Sequence, residues 1–159
     1  MSFHGINHLM LVIRHPSPAG IDDMPALVSH LWSRKGFMAM TVFGYIFTGN
    51  QRDADRLNAS NNALKNHEMI HLRQAQSTHN SWVLFYLRYF WYSLLACRYR
   101  KKLRNASYYL NPFEIEAYTE MHNLHYLDHC REQGAREWRR YARMSLSQRL
   151  SLVRSLGIV

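Results

Sequence analysis

The chain has 159 residues, 47% of them hydrophobic, so it can bury a core without a disulfide framework, and we expect a single domain over residues 1–159. The two cysteines, Cys97 and Cys130, exclude a C-x-x-C metal or redox motif. The 20 Lys and Arg residues against 11 Asp and Glu give a net charge of +9, which points to an anionic partner or to a solvated basic face.

The N-terminal third combines extended and helical patterns. The apolar run Ile6–Ile13 predicts a short strand, and HPSPAG after it predicts a turn. Asp22 or Asp23 is placed to cap a helix over Met24–Ser33, with Pro25 accepted in its first turn. The N-terminus has neither a basic start nor a long apolar stretch, so we expect no signal peptide and a cytoplasmic protein.

A second extended segment follows. Phe37–Phe47 is rich in β-branched and aromatic residues and ends at a Thr-Gly-Asn turn, which predicts a strand. Gly44 within it indicates a bulge or the close approach of another chain.

From there on the pattern is helical. Asn58 or Ser60 can cap a helix that continues to about Gln76, and Ser81 can cap a second helix to about Leu103. The most hydrophobic window, residues 82–97, lies in this second helix. It is shorter than the roughly 20 residues that span a bilayer and has an arginine at its centre, so we expect a buried core helix. Contact with a membrane surface is the alternative.

The C-terminal part predicts three further helices. Asn111 and Pro112 have the residue types of an N-cap and a first helical position, and this helix is expected to run to about Cys130. A helix over Ala135–Arg143 follows. Ser145–Gln148 reads as a capping box for the last helix.

Basic residues are concentrated in this half of the chain. Residues 98–104 read RYRKKLR, and five arginines lie between Arg131 and Arg143. Such runs bind the phosphates of nucleic acid or of an anionic membrane surface. A solvated helix face is the alternative.

The motif with the clearest chemistry is HExxH, His67-Glu68-Met69-Ile70-His71, in the first of the predicted long helices. Residues four apart lie on one face of a helix, so both imidazoles can bind one Zn²⁺. Glu68 can then act as general base on the water that the metal activates, and later protonate the leaving amine. The alternative is a structural helix with two ordinary histidines and an ion-paired glutamate.

A catalytic zinc needs a third protein ligand. The metzincin pattern fails because Ser77 stands where its third histidine belongs, and His79 comes two residues too late. Residues 111–118, NPFEIEAY, resemble the gluzincin pattern, in which a glutamate ligand precedes an alanine by three. This resemblance implies Glu114 as the ligand, with Ala117 as the small residue, and leaves Glu116 as a group beside the site or on the surface.

Other assignments stay open at this point. Glu114 is also placed to cap its own helix. His122, with His125 and His129 on the same stripe, is an alternative third ligand.

The residues around the proposed ligands are less well defined by sequence. In thermolysin-like enzymes an aspartate follows the glutamate ligand by four, and here that position is Tyr118. A carboxylate that orients His67 would then be absent or come from elsewhere, with Glu120 and Asp128 as the candidates. Asn66 and Gln74 flank the motif and are interpreted as helix-surface groups.

The wider pattern NHEMIHLRQAQ, followed by an aromatic helix and YYLNPFEIEAY, resembles a family of short bacterial proteins described as zinc metallopeptidases. The resemblance covers roughly residues 36–130 and departs from the family at Ala75 and Ser107. It implies an α+β zincin-like fold with a small N-terminal sheet on a mainly helical body, and a strand at about Met40–Phe47 as one wall of the cleft. It also places Tyr108 as the donor to the transition-state oxyanion, with a packed aromatic as the alternative.

Three functions are compatible with these residues. The leading hypothesis is a zinc peptidase acting on peptide or protein substrates. The charge of +9 motivates a second, a nucleic-acid-associated protease that resembles the SprT-like group. The third is a non-catalytic binding protein that has kept a zincin scaffold, since HExxH provides the means for catalysis and not its use.

Overall fold

The computed structural model describes residues 24–29, 38–59 and 62–159, which form a mixed α+β structure. A small three-stranded sheet lies beside a mainly helical body, as the α+β prediction has it. The strand predicted over Ile6–Ile13 lies outside the described residues.

The sheet consists of β1 (Ala26–Val28), β2 (Met40–Val42) and β3 (Tyr45–Thr48) in the order β1-β3-β2. The central strand β3 runs parallel to β1 and antiparallel to β2, and its Ile46 is fully buried. β2 is therefore an edge strand of this sheet.

The single strand predicted over Phe37–Phe47 is wrong, because Phe43 and Gly44 form a turn that divides it into β2 and β3. Both turn residues have positive φ, +45° and +89°, the backbone that a two-residue hairpin requires. Gly44 thus serves a turn rather than a bulge. A Cβ built on it would lie 3.6 Å from the Trp82 indole, an ordinary van der Waals distance.

The helix predicted over Met24–Ser33 is wrong, because the part of this range that the structure describes contains strand β1. The carboxamide of Asn58 bonds both the N–H and the carbonyl oxygen of Ala26, at 2.9 and 3.3 Å. Ala26 also pairs with Ile46 of β3. These partners are distant in sequence, and they outweigh the local capping pattern.

Eight α-helices follow the sheet in the described chain, and a 3₁₀ turn over Cys97–Tyr99 extends the third. They are α1 (Gln51–Asn58), α2 (Ala63–Ser77), α3 (Trp82–Ala96), α4 (Ala106–Tyr109), α5 (Pro112–Glu120), α6 (Tyr126–His129), α7 (Trp138–Arg143) and α8 (Leu146–Ser155).

Three predicted caps are confirmed: Ser81, Asn111 and the Ser145 capping box all accept from backbone N–H groups of the first turn. The cap of α2 is Asn62, whereas Asn58 ends α1, a helix that we did not predict. Ser60, the other predicted cap, lies outside the described residues.

Three helices are shorter than predicted. α3 ends at Ala96 instead of about Leu103, and α7 begins at Trp138 instead of Ala135. α5 ends at Glu120, where the Asn66 side chain binds carbonyls at and just beyond the helix end. Asn66 Nδ2 lies 3.3, 2.9 and 3.2 Å from the carbonyl oxygens of Glu120, Met121 and Asn123, respectively.

α2 is the central helix of the fold. It packs against α3, α5, α6 and β2, and every residue from Asn66 to Ser77 is buried. Its polar side chains must therefore find partners inside the protein, because a buried polar group without one is costly.

α3 is only half buried, so the prediction of a buried core helix is wrong for one of its faces. Trp82 and Phe85 face the core, while Leu87, Phe90 and Trp91 are exposed. Among the described residues, no helix has the length and apolarity to cross a membrane.

Candidate metal centre

The two histidines of the HExxH motif face the same point from successive turns of α2. His67 and His71 are both buried, and their Nε2 atoms lie 3.2 Å apart. Their rings are nearly perpendicular, with centroids 4.8 Å apart. The i, i+4 spacing thus places two imidazole nitrogens at one site.

Glu114 reaches this site from the first turn of α5. Its Oε2 lies 3.3 Å from His67 Nε2, and its Oε1 lies 3.4 Å from His71 Nε2. The start of α5 is capped by Asn111, whose Oδ1 accepts from Phe113 N at 3.1 Å. Glu114 is therefore free of the capping role and turned towards the histidines. Ala117, fully buried, lies one turn further along α5.

The spacing of these atoms fits a metal ion. Ligand atoms at about 2.0–2.1 Å from a tetrahedral zinc lie roughly 3.3 Å from one another. Here the two Nε2 atoms are 3.2 Å apart, and each lies 3.3–3.4 Å from a different carboxylate oxygen of Glu114. His67, His71 and Glu114 are the group in the described chain whose ligand atoms converge closely enough to hold an ion. Glu114 Oε2 has no hydrogen-bond partner among the described residues, as expected of an oxygen kept for a cation.

In the absence of metal, His71 and Glu114 shift each other's pKa values in opposite directions. Burial by itself lowers the pKa of His71, but the charge of Glu114 and its hydrogen bond outweigh this effect and raise it to about 9. Burial acts to raise the pKa of Glu114, and the two histidines reverse this and hold it well below its usual range. In the absence of metal, His71 and Glu114 thus form a buried ion pair.

Gln74 orients His71. Its Nε2 donates to the Phe113 carbonyl at 2.9 Å and to Glu116 Oε2 at 2.7 Å. Its Oε1 must then face His71 Nδ1, 2.8 Å away, and can only accept. The proton of the neutral imidazole is therefore held on Nδ1, which leaves the Nε2 lone pair directed at the site.

Glu116 anchors this arrangement on the side of α5 away from the histidines. Its carboxylate accepts from Gln74, from the Tyr126 hydroxyl at 2.6 Å and from Glu137 N at 2.8 Å. Burial raises its pKa, and these donors offset part of that shift.

The interpretation of Gln74 and Asn66 as helix-surface groups is wrong, since both are buried and hydrogen-bonded. The spacing of three between His71 and Gln74 was the signal available in the sequence.

No carboxylate orients His67 in the described structure. Its Nδ1 has no hydrogen-bond partner there, and its ring lies edge-on to Tyr118 with centroids 4.7 Å apart. Asp128 is exposed and lies 3.5 Å from His125 Nδ1, and Glu120 Oε2 accepts from Asn123 at 3.4 Å. Neither proposed carboxylate takes the predicted role.

The three histidines proposed as alternative ligands do not join the site. His122, His125 and His129 are all exposed. Because α5 ends at Glu120, the helical stripe that would have aligned His122 with Glu114 is interrupted.

Glu68 lies in the cleft in front of these ligands. Its Oε2 accepts a 2.6 Å hydrogen bond from the Thr41 hydroxyl of β2. The cleft has a volume of about 340 Å³, and residues 39–41 form one side of it. The Tyr86 hydroxyl secures this wall by donating to the Thr41 carbonyl at 3.3 Å and accepting from Phe43 N at 2.9 Å.

Two tyrosines complete the surroundings of Glu114. The Tyr89 hydroxyl donates to Glu114 Oε1 at 2.6 Å, and the Tyr108 hydroxyl lines the cleft 3.2 Å from that of Tyr118. Burial, followed by the charge of Glu114, raises the pKa of both Tyr89 and Tyr108, so both remain protonated donors. Tyr89 and Thr41 carry no motif of their own, so neither could be predicted from the sequence.

No family model, curated protein or solved structure matches this chain. A functional proposal therefore rests on the geometry of the site and on the HExxH motif.

Proposed function

We propose that the protein is a zinc-dependent peptidase in which His67, His71 and Glu114 hold the metal and Glu68 is the general base. The observation that carries the proposal is the convergence of three buried ligand groups, 3.2–3.4 Å apart, at the floor of an open cleft. A zincin-like arrangement is part of this proposal, and the packing of the HExxH helix α2 against both β2 and the ligand helix α5 supports it.

The donor set favours zinc over other common ions. Two imidazole nitrogens and one carboxylate are a set that catalytic zinc sites use, with a fourth position open to water or substrate. Calcium and magnesium require more oxygen ligands than this site offers. When bound, zinc would supply Lewis acidity, lowering the pKa of a water molecule and polarising the carbonyl of a scissile bond.

The residues of the cleft supply the proton transfers. Glu68 accepts the proton of the attacking water and returns it to the leaving amine. Thr41 restricts the Glu68 carboxylate to one orientation through the 2.6 Å hydrogen bond. Tyr108, protonated and lining the same cleft, is the proposed donor to the oxyanion that forms as the carbonyl is attacked.

The edge strand β2 is the proposed site for the substrate backbone. An extended peptide can add to an exposed strand edge through main-chain hydrogen bonds. Tyr86 already satisfies the Thr41 carbonyl, so the pairing would use Ala39 and Met40, which line the cleft. This geometry favours peptide or protein substrates.

The test is a comparison of metal content with turnover. We expect about one zinc per chain in protein purified without chelator, and cleavage of an unfolded protein substrate that stops when the metal is removed. Glu68→Gln should keep the zinc and reduce cleavage by roughly 10²–10⁴-fold. A wild-type protein that binds no zinc would overturn the proposal.

Two other outcomes would select the alternatives. Zinc binding without turnover on any substrate would indicate a non-catalytic binding protein on the same scaffold. Cleavage that requires added DNA would indicate a nucleic-acid-associated protease.

A further inference from the structure

α3 has two apolar faces, and within residues 24–29, 38–59 and 62–159 the fold covers only one of them. The inner face carries Phe85 and Tyr89 to the metal centre and Trp82 to the core. The outer face, as we name it, consists of six apolar residues that are 37% to 70% exposed: Val83, Leu84, Leu87, Phe90, Trp91 and Leu94.

The outer face is continuous. At 100° per residue its six members fall within about 120° of the helix circumference, and from Val83 to Leu94 they extend over roughly 16 Å. A helix that is apolar on all sides is normally enclosed by protein or lipid. An exposed apolar patch of this size marks an interaction surface.

A basic cluster adjoins the outer face at the C-terminal end of α3. It comprises five exposed residues: Arg98, Arg100, Lys101, Lys102 and Arg104. Arg154 of α8 lies beside it, with its Nη2 donating to the Lys102 carbonyl at 3.4 Å. The sequence has no Asp or Glu between Glu68 and Glu114, so no acidic residue of α3 or of the cluster offsets this charge.

We propose that the outer face and the basic cluster dock together on an anionic lipid bilayer, with α3 lying in the plane of the membrane surface. Leu, Phe and Trp on one side of a helix, next to Lys and Arg, are the features of an interfacial helix. The apolar side chains enter the acyl boundary while the basic cluster meets anionic headgroups.

The combination of positive charge and exposed apolar surface favours a lipid bilayer over the other candidate partners. A second copy of the chain would bring two basic clusters towards each other, and like charges oppose such a contact. Nucleic acid would satisfy the basic cluster but would leave six apolar side chains in water. A lipid surface satisfies both features at once.

The orientation leaves the metal centre accessible. Phe85 and Tyr89 project from α3 on the side opposite Leu87 and Leu94, so the bilayer and the cleft lie on different sides of the helix. Docking would thus hold the protein at the membrane surface without covering the cleft. This inference is independent of the proposed catalytic activity.

The experiment is flotation of the full chain with extruded vesicles of phosphatidylcholine alone and of phosphatidylcholine mixed with phosphatidylglycerol. We expect binding to the anionic vesicles that weakens with added salt, and little binding to the neutral ones. Trp91 fluorescence should shift to the blue on binding, and Trp91→Phe should lose most of this shift while still binding.

Matched variants separate the two parts of the surface. Leu87→Asp and Phe90→Asp should each weaken partitioning by about tenfold or more, since each removes an apolar side chain that the bilayer would bury on docking. Leu156→Asp, at a comparably exposed leucine beyond α8, should bind as wild type. Lys101→Glu should weaken binding to anionic vesicles by at least about fivefold, whereas Arg52→Glu on α1 should have little effect.

Three results would overturn the proposal. The first is equal vesicle binding by Leu87→Asp and wild type. The second is that the protein binds neither vesicle at low salt. The third is a concentration-dependent dimer that forms without lipid and that Leu87→Asp abolishes. Binding of duplex or single-stranded DNA in place of vesicles would assign the basic cluster to nucleic acid instead. Zinc content and circular dichroism of each variant show whether the fold is retained.

Discussion

The Thr41 hydroxyl donates a 2.6 Å hydrogen bond to Glu68 Oε2, which joins the edge strand of the sheet to the HExxH motif of α2. The two residues are 27 positions apart in the chain. The same contact orients the proposed general base and fixes one wall of the cleft against the metal centre.

This relationship predicts a loss of turnover without a loss of metal. Thr41→Val keeps the shape of the side chain but removes the donor, so Glu68 gains alternative orientations. We expect kcat to fall by about tenfold or more while zinc content is unchanged. Thr41→Ser retains the hydroxyl and is the matched control. A Thr41→Val protein as active as wild type would show that the hydrogen bond does not position the base.

The register of α5 predicts different roles for its two glutamates. Glu114 lies 3.3–3.4 Å from the histidine nitrogens, whereas Glu116 is bonded to Gln74 and Tyr126. Glu114→Ala should therefore weaken zinc binding by several orders of magnitude. Glu116→Gln keeps the volume and should retain about one zinc per chain. Competition titration with a zinc chelator measures both affinities, and a stronger loss in Glu116→Gln would contradict the assignment.

The hydrogen bonds from His71 through Gln74 to Glu116 predict that Gln74 affects zinc binding by positioning the His71 ring. Gln74→Met removes the acceptor of the His71 Nδ1 proton and leaves the ring free to rotate. We expect zinc affinity to fall by about 10–100-fold. Thermal unfolding of the metal-free variant is measured alongside, since Gln74 is buried. A variant with lowered stability but wild-type zinc affinity would show that Gln74 serves packing alone.

The raised pKa of His71 predicts that zinc competes with a proton. In the metal-free protein this pKa is about 9, so His71 is protonated at neutral pH and must lose its proton to bind metal. Affinity should therefore rise by about tenfold per pH unit from neutral pH and level off above the pKa. Calorimetry in buffers of different ionisation enthalpy should show about one proton released. Affinity that is constant over this range would contradict the prediction.

Features set by neighbouring residues could be read from the sequence. Ser81, Asn111 and Ser145 cap helices because each side chain bonds backbone N–H groups two or three residues away. The geometry of a single helix likewise places His67 and His71 on one face. The register of Glu114 relative to Ala117 depends only on residues of α5.

What the tertiary structure decided depends on partners distant in the chain. Asn58 draws Ala26 into a strand where a helix was predicted, and Gln74 finds Glu116 42 residues away. Local pattern carries no information on such pairings, because they arise only when separate elements pack. The outer face of α3 shows the same limit, since composition indicates that a helix is apolar but only packing decides which side the fold covers.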